Sequence, residues 1–395
     1  GVWRRRRGAW PGGSRRRRGA RVSLPEVRIE KRLRQRRWLM VAVPLGSLVV
    51  AHVAIAILLA ATGHPPLTTF RKLFDAAYLA DGALGSTFIA ATPLAFTGLA
   101  AAAAFRMRLF NIGGEGQLYF GAIGAAGIAL LLAGQSTPVL IVAMVVAGAA
   151  LGAAWGAIPG VLRAFLHTNE IITSLMLNYV AVVVLNYLIF DSLSYWRDDS
   201  PTGQVFPQGK ALADAAAWPL YQLGSISIPF GFLLAVAVAA GIWVLYTRTR
   251  FGFEAQVIGD SPRAARYAGM RTRRKIVAIM CLSGAVAGIG GASQMGDFRH
   301  LLDARGLQQA NYGYTGIVVA ALARYNPFAV VLVAFLLGGL QNAGYTLQSA
   351  EFPSGLVGVM QGMILFAMLG GELLVQYRIS FARRRRGHVA AEAAR

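Results

Sequence analysis

The 395-residue chain reads as an all-α polytopic membrane protein with about ten transmembrane helices, one or two of them short or broken, and both termini cytoplasmic. Three observations carry this expectation. First, 56% of the residues are hydrophobic and 14% charged, against roughly 25% charged in soluble domains. Second, apolar stretches of membrane-crossing length recur along the sequence. Third, the basic residues gather at the two ends and in one internal segment.

A transmembrane helix needs about 20 largely apolar residues, and nine segments qualify: 39–62, 84–105, 117–134, 138–162, 171–190, 229–247, 276–295, 328–348 and 354–376. Nine crossings would put the two basic tails on opposite sides of the membrane. The positive-inside rule therefore asks for a tenth, and 313–325, GYTGIVVAALARY, is the candidate although short for a full span. With ten, residues 1–37 (15 Arg and Lys against two Glu), 248–275 (eight against two) and 377–395 (six against one) all fall inside. The segments 63–83, 191–228, 296–312 and 349–353 are neutral or acidic and fall outside. This sets a basic tail over 1–37, a membrane domain over 38–376 and a second basic tail over 377–395. The chain opens on Gly1 with RRRR twice in its first 18 residues, so a native start near Val22 is expected, the first 21 residues lying outside it.

A net charge of +22 would elsewhere point to nucleic acid. Beside membrane spans the charge distribution is explained by topology, and nucleic acid is not an expected partner. The single cysteine, Cys281, removes disulfides and cysteine-based metal sites. The five histidines, at 52, 64, 167, 300 and 388, have no metal-binding spacing, and no nucleophile elbow or Walker motif occurs; no catalytic or metal site is expected. Spacing of four between Gly148, Gly152 and Gly156 marks a helix-packing face. TGLAAAAAFR (97–106) is echoed by TGIVVAALAR (315–324), as a protein built from repeats would show.

Two segments carry functional signal. FNIGGEGQLYFGA (110–122) holds one carboxylate, Glu115, among four glycines. It fits neither the dinucleotide fingerprint nor the P-loop, so phosphate binding is not expected there. Polar groups inside spans cost free energy and should face the bundle or a cavity; Asn178 and Asn186, two turns apart, give one span an amide-bearing face, with Tyr179 and Tyr187 spaced likewise. In 248–275, Gly259 to Gly269 reads as a short capped helix. Asp260 or Ser261 can cap it, Pro262 suits the first turn, Ala264 and Ala265 form a small face, and Gly269 suits the stop. Arg263 and Arg266 would be displayed, which makes the segment a docking element.

FNIGGEGQLYFGA, TNEIITSLMLNYVA (168–181), GDSPRAARYAGM (259–270), GYTGIVVAALARYNP (313–327) and GGLQNAG (338–344) together resemble the membrane subunits of bacterial ABC importers for branched-chain amino acids, sugars and nucleosides. The form is most like the nucleoside (guanosine/uridine-type) branch, and the resemblance runs from about 38 to 376. It implies a permease subunit without its own ATPase site, in the bacterial inner membrane. The implied partners are a cytoplasmic ATPase of duplicated-domain type that hydrolyses ATP with Mg, a second permease subunit and an extracytoplasmic nucleoside-binding lipoprotein. It implies that Gly259, Asp260, Ser261, Pro262, Arg263, Ala264, Ala265, Arg266 and Gly269 couple to that ATPase. Asn111, Gly113, Gly114, Glu115 and Gln117 match a segment where a helix breaks beside the translocation path, and Asn169, Glu170, Thr173, Asn178 and Tyr179 would lie nearby. Three other readings stay open: a proton-coupled secondary transporter with Glu115 as carrier, an ABC permease for sugars or branched-chain amino acids, and a membrane scaffold. Glu115 itself has two readings, solute contact and structural pairing with Arg106, Arg108 or a span amide.

Overall fold

A computed structural model of the chain describes residues 26–31, 39–348 and 354–382. The expected tails therefore lie largely outside the described residues, as does the 349–353 connection. The chain divides into two units, 47–369 and the paired ends 1–46 with 370–395. In the latter, strand β1 (Glu26–Lys31) pairs antiparallel with the last strand, Tyr377–Ala382, with Glu26 opposite Ala382.

The expectation of a helical membrane protein is met, with additions. Helix α1 spans Leu39–Ala61. After Gly63 (φ +82°), α2 (Pro66–Phe74) and a π-helical turn (Asp75–Leu79) run back at 116° to it. The sequence reading had 63–83 as a loop; α2 is short, and Arg71, Lys72 and Asp75 conceal its apolar face. Next come α3 (Ala83–Phe105), α4 (Gly114–Leu131), α5 (Thr137–Leu166) and α6 (Glu170–Asn186). The 191–228 stretch, also read as a loop, holds α7 (Pro201–Val205) and a hairpin of β2 (Leu220–Leu223) and β3 (Ile226–Pro229) turning at Gly224 (φ +64°). With the terminal pair of β1 and β4 (Tyr377–Ala382), this makes the fold helical with two small strand pairs among the described residues rather than purely all-α.

Then follow α8 (Phe230–Arg248), α9 (Arg250–Asp260), α10 (Pro262–Tyr267) and α11 (Thr272–Ser293), the last continuing as a π-helical turn through Arg299. The chain ends with α12 (Ala304–Ala310), α13 (Tyr312–Leu322), α14 (Pro327–Thr346) and α15 (Ser354–Gln376). Six helices among the described residues are long and apolar enough to cross a membrane, or seven if the bent 45–79 pair counts as one.

The core of the 47–369 unit is built on small residues. Gly148, Gly152 and Gly156 of α5 lie against Gly284 and Gly288 of α11: a Cβ at Gly288 would meet the Gly148 carbonyl and one at Gly152 the Gly284 carbonyl, while Gly121 of α4 closes on Gly288 from the other side. In lipid, apolar side chains gain little by leaving one apolar medium for another, so this backbone-to-backbone approach is what holds the helices together. Pro93 and Pro159 sit inside α3 and α5.

Candidate functional site

Helix α13 has 11 residues, about 16 Å at 1.5 Å per residue, half of a hydrocarbon core of about 30 Å. Its first residue, Tyr312, is buried in the bundle, tied there by Thr97 of α3, whose hydroxyl donates to the Tyr312 carbonyl at 2.9 Å. Helix α12 precedes it, and Asn311 (φ +50°) makes the break between them. The segment 313–325, expected as a tenth crossing, forms an 11-residue helix over 312–322, which is not among the helices long enough to cross a membrane by themselves.

The first turn of α4 meets the first turn of α13. Gly114 lies 3.7 Å from Gly313 Cα by its virtual Cβ, and a Cβ on Gly313 would land on the Glu115 backbone. Glycine at 313 is therefore a requirement of this close approach, whereas a Cβ at Gly114 would make only ordinary contact. The segment breaks no helix: it is the start of α4, entered through the irregular stretch 106–113.

Glu115 is 2% exposed. Its Oε2 accepts from Gly313 N at 2.5 Å and from Tyr314 N at 3.3 Å, and its Oε1 accepts the Tyr119 hydroxyl at 2.7 Å. A carboxylate at two helix N-termini answers orphan amides and both dipoles. Neither arginine named as a possible partner reaches it: Arg108 pairs with Asp260.

A second set of bonds fixes the entry stretch. Asn111 Nδ2 donates to Gln117 Oε1 (2.9 Å) and to Ser283 Oγ (2.8 Å), its Oδ1 accepts from Gly113 N (2.9 Å) and Gln117 Nε2 (3.1 Å), and Ser283 donates to the Ala100 carbonyl (2.7 Å). Asn178 is 1% exposed; it accepts from Gly116 N (2.9 Å) and donates to the Ile112 carbonyl (2.9 Å) and the Tyr314 hydroxyl (3.2 Å). Ser174, one turn earlier, accepts from Ile112 N at 3.1 Å. Asn111, Gly113, Gly114, Glu115, Gln117 and Asn178 are thus brought together as one buried junction. Tyr179 is not among them; it is 60% exposed on the opposite face of α6. Asn169 caps α6 by accepting from Ile171 N, and Glu170 pairs with Arg163 at 3.2 Å. Ser174, Ser283, Tyr119 and Tyr314 were not singled out from the sequence; Tyr119, one helical turn from Glu115, was the discoverable one.

The 248–275 segment is better ordered than a loop with one helix. Thr249 caps α9 and Ser261, not Asp260, caps α10, accepting from Ala264 N at 3.4 Å. Asp260 instead closes α9 and bonds Arg108 at 2.7 Å. A Cβ at Gly259 would meet the Met107 backbone at 2.9 Å, Ala265 is fully buried, and Gly269 takes φ +74° at the stop. Arg263 and Arg266 are displayed, and Tyr267 between them and Gly269 is 98% exposed. Lys275 of α11 holds Glu254 of α9 at 2.9 Å. That hydrogen bond, with the Arg250 contact, keeps the Glu254 carboxyl below the usual carboxylate range.

Neither site offers a nucleophile beside a base, and no group of three metal-ligating side chains occurs among the described residues. What the geometry offers is a run of contacts: α10 to α9, Asp260 and Gly259 to Arg108 and Met107, then along the chain to Asn111 and the Glu115 junction.

Residues 83–369 match the profile of the branched-chain amino acid transport system / permease component family, and the chain belongs to it. It is similar to the glucose ABC transporter permease protein TsgB13 of Haloferax volcanii (32% identity, over 92% of this chain and 96% of that one). It is also similar to the guanosine ABC transporter permease protein NupP of Bacillus subtilis (31%, 82% and 91%) and the nucleoside ABC transporter permease protein NupB of Lactococcus lactis subsp. cremoris (29%, 82% and 90%).

Proposed function

We propose that the chain is the membrane-spanning permease subunit of an ATP-driven ABC importer that moves nucleosides into the cytoplasm by alternating access. The observation that carries the reading is the α9–α10 element: a capped, exposed helix whose base is fastened to the entry of the buried junction through Asp260–Arg108 and Gly259–Met107. A scaffold has no use for such a connection. A cytoplasmic ATPase, of duplicated-domain type in this reading, receives Arg263, Arg266 and Tyr267. Its movement on hydrolysing ATP with Mg is passed along residues 106–113 to the point where α4 and α13 begin, and the halves of the bundle reopen on the other side. Gly259 to Gly269 are then coupling residues, while Asn111, Gly113, Gly114, Glu115, Gln117 and Asn178 brace the moving elements beside the path, with Tyr179 facing outward.

In this reading α1, α3, α4, α5, α6, α8, α11, the α12–α13 pair, α14 and α15 make ten crossings, with both basic ends inside the bacterial plasma membrane. A second permease subunit and an extracytoplasmic nucleoside-binding lipoprotein complete the importer; nucleic acid is not a partner, and ATP is held by the ATPase rather than by this chain. Sugar import is a second reading, favoured by the 32% identity to a glucose permease. Co-expression with the neighbouring ATPase gene tests the coupling: the pair should co-purify, and Arg263→Glu with Arg266→Glu should release the ATPase from a folded permease. Retention of the ATPase by the double variant would reject the assignment.

A further inference from the structure

A cavity of about 350 Å³ opens between α3, the π-helical turn at 294–299, α12 and α14. It lies near Ser86–Ala90 at the start of α3. The far end of that helix leads to Met107 and Arg108, which meet α9. The cavity is therefore at the end of the bundle opposite the basic cytoplasmic element. Its volume is in the range of small-molecule sites, about 300 Å³ and upward.

The lining combines aromatic faces with amide groups. Phe298 and Tyr345 are half-exposed aromatic faces, and Tyr312 is a buried one that also begins α13. Gln309 lines the cavity, and its carboxamide has no protein partner among the described residues. Asn342 has given its amide hydrogens to the Ala76 and Ala83 carbonyls and to Thr87 Oγ1, which leaves its oxygen to accept. Arg299 brings no net charge: it pairs with Asp303, donates to Gln294 Oε1 at 3.2 Å and lies 5.4 Å over the Phe298 ring. An anion such as a phosphorylated solute finds no free cation there, whereas a neutral ring with hydroxyl and amide edges finds π-faces, one free carboxamide and one free acceptor. The floor of the cavity, Tyr312, is the residue before Gly313, whose amide Glu115 holds. An occupant would thus sit one residue from the junction that the cytoplasmic element is connected to.

We propose that this cavity is the extracytoplasmic solute-receiving site of the permease, taking an uncharged nucleoside with its base against Tyr345 and Phe298 and its polar edge on Gln309 and Asn342. The inference rests on the importer reading above and adds the place where solute is first held.

The test is photolabelling of the full permease–ATPase complex in nanodiscs with tritiated 8-azidoadenosine, alongside ATP-driven adenosine uptake by the same complex with its binding protein in proteoliposomes. Label should map to peptides containing Phe298–Tyr312 or Asn342–Tyr345, and excess adenosine but not glucose should compete. Loss of one stacked base should cost about tenfold, so Tyr345→Ala should need about tenfold more probe for half-maximal labelling and Gln309→Ala, which loses a neutral hydrogen bond, about two- to tenfold more, while Tyr345→Phe keeps wild-type labelling. Tyr345 is half-exposed, so truncation leaves no core void, and co-elution with the ATPase verifies folding. Uptake with label elsewhere, or with labelling indifferent to Tyr345→Ala, would overturn the site alone. Absence of ATP-driven uptake by the wild-type complex would overturn the importer reading and the site with it.

Discussion

Glu115→Ala and Glu115→Gln separate the brace from the proton carrier. Alanine removes three acceptances and leaves the Tyr119 hydroxyl, 2% exposed residue and all, and the Gly313 and Tyr314 amides without a partner. Each orphaned buried donor costs about 1–3 kcal/mol. With the 3.3 Å bond to Tyr314 discounted, the two short ones give a loss of roughly 2–6 kcal/mol, to which the lost charge at two helix N-termini adds about 0.3–2 kcal/mol. Glutamine keeps an oxygen for the two amides and offers its NH₂ to the Tyr119 hydroxyl, which can turn to accept; only the charge contribution of about 0.3–2 kcal/mol goes. Thermal unfolding followed by fluorescence size-exclusion in detergent should order the proteins wild type, then Gln close behind, then Ala far below. ATP-driven uptake should survive Glu115→Gln. Equal stability of the Ala and wild-type proteins would refute the brace, and a fully stable Glu115→Gln protein without uptake would favour proton transfer.

Three other outcomes follow from the same geometry. Arg108→Asp should lower ATP-coupled uptake and the swap Arg108→Asp with Asp260→Arg should restore it, while stability moves by less than about 1 kcal/mol because the pair is exposed; stability falling with uptake would show a folding role instead. Gly288→Leu must displace the Gly148 carbonyl and Gly152 Cα, which costs about 3 kcal/mol or more and should leave no monodisperse protein, whereas Gly241→Leu, with open space around it, should purify normally. The Glu254 carboxyl is held low by Lys275 and Arg250. A depressed carboxylate contributes its stabilisation above its ordinary range and loses it as pH falls through the folded value, so Glu254→Gln should speed proteolysis of 248–275 at pH 7 and converge with wild type only at acid pH below the ordinary glutamate range of about 4.3.

The long helices were legible because 20 apolar residues leave little choice: α3, α5, α8, α11 and α14 begin and end within a few residues of the segments read from hydropathy. The short elements were not. Helices α2, α9 and α12 have 9, 11 and 7 residues and mix charge with apolar positions, so they pass for loops when only apolar length is counted. Asp260 illustrates a second limit. Its place before Ser261-Pro262 makes it a reasonable cap, but an arginine 152 positions away takes it. Glu115 illustrates the same limit inside the bundle: its residue type and glycine neighbours announced a special position, while the partner amides, 198 and 199 residues later, are visible only once the first turn of α13 is seen against the first turn of α4. Ser174 and Ser283 are serines in apolar helices, and nothing local distinguishes them from packing residues.

The central claim is that this chain passes work from an ATPase through α10 to a solute path. Its most direct test is uptake of tritiated guanosine into proteoliposomes holding the chain, its ATPase, its permease partner and its binding protein, energised either by ATP or by an imposed proton gradient. The account predicts uptake with ATP, none with the gradient, and loss of the ATP-driven signal when Arg263 and Arg266 are reversed to Glu. Gradient-driven uptake by the chain alone would contradict it.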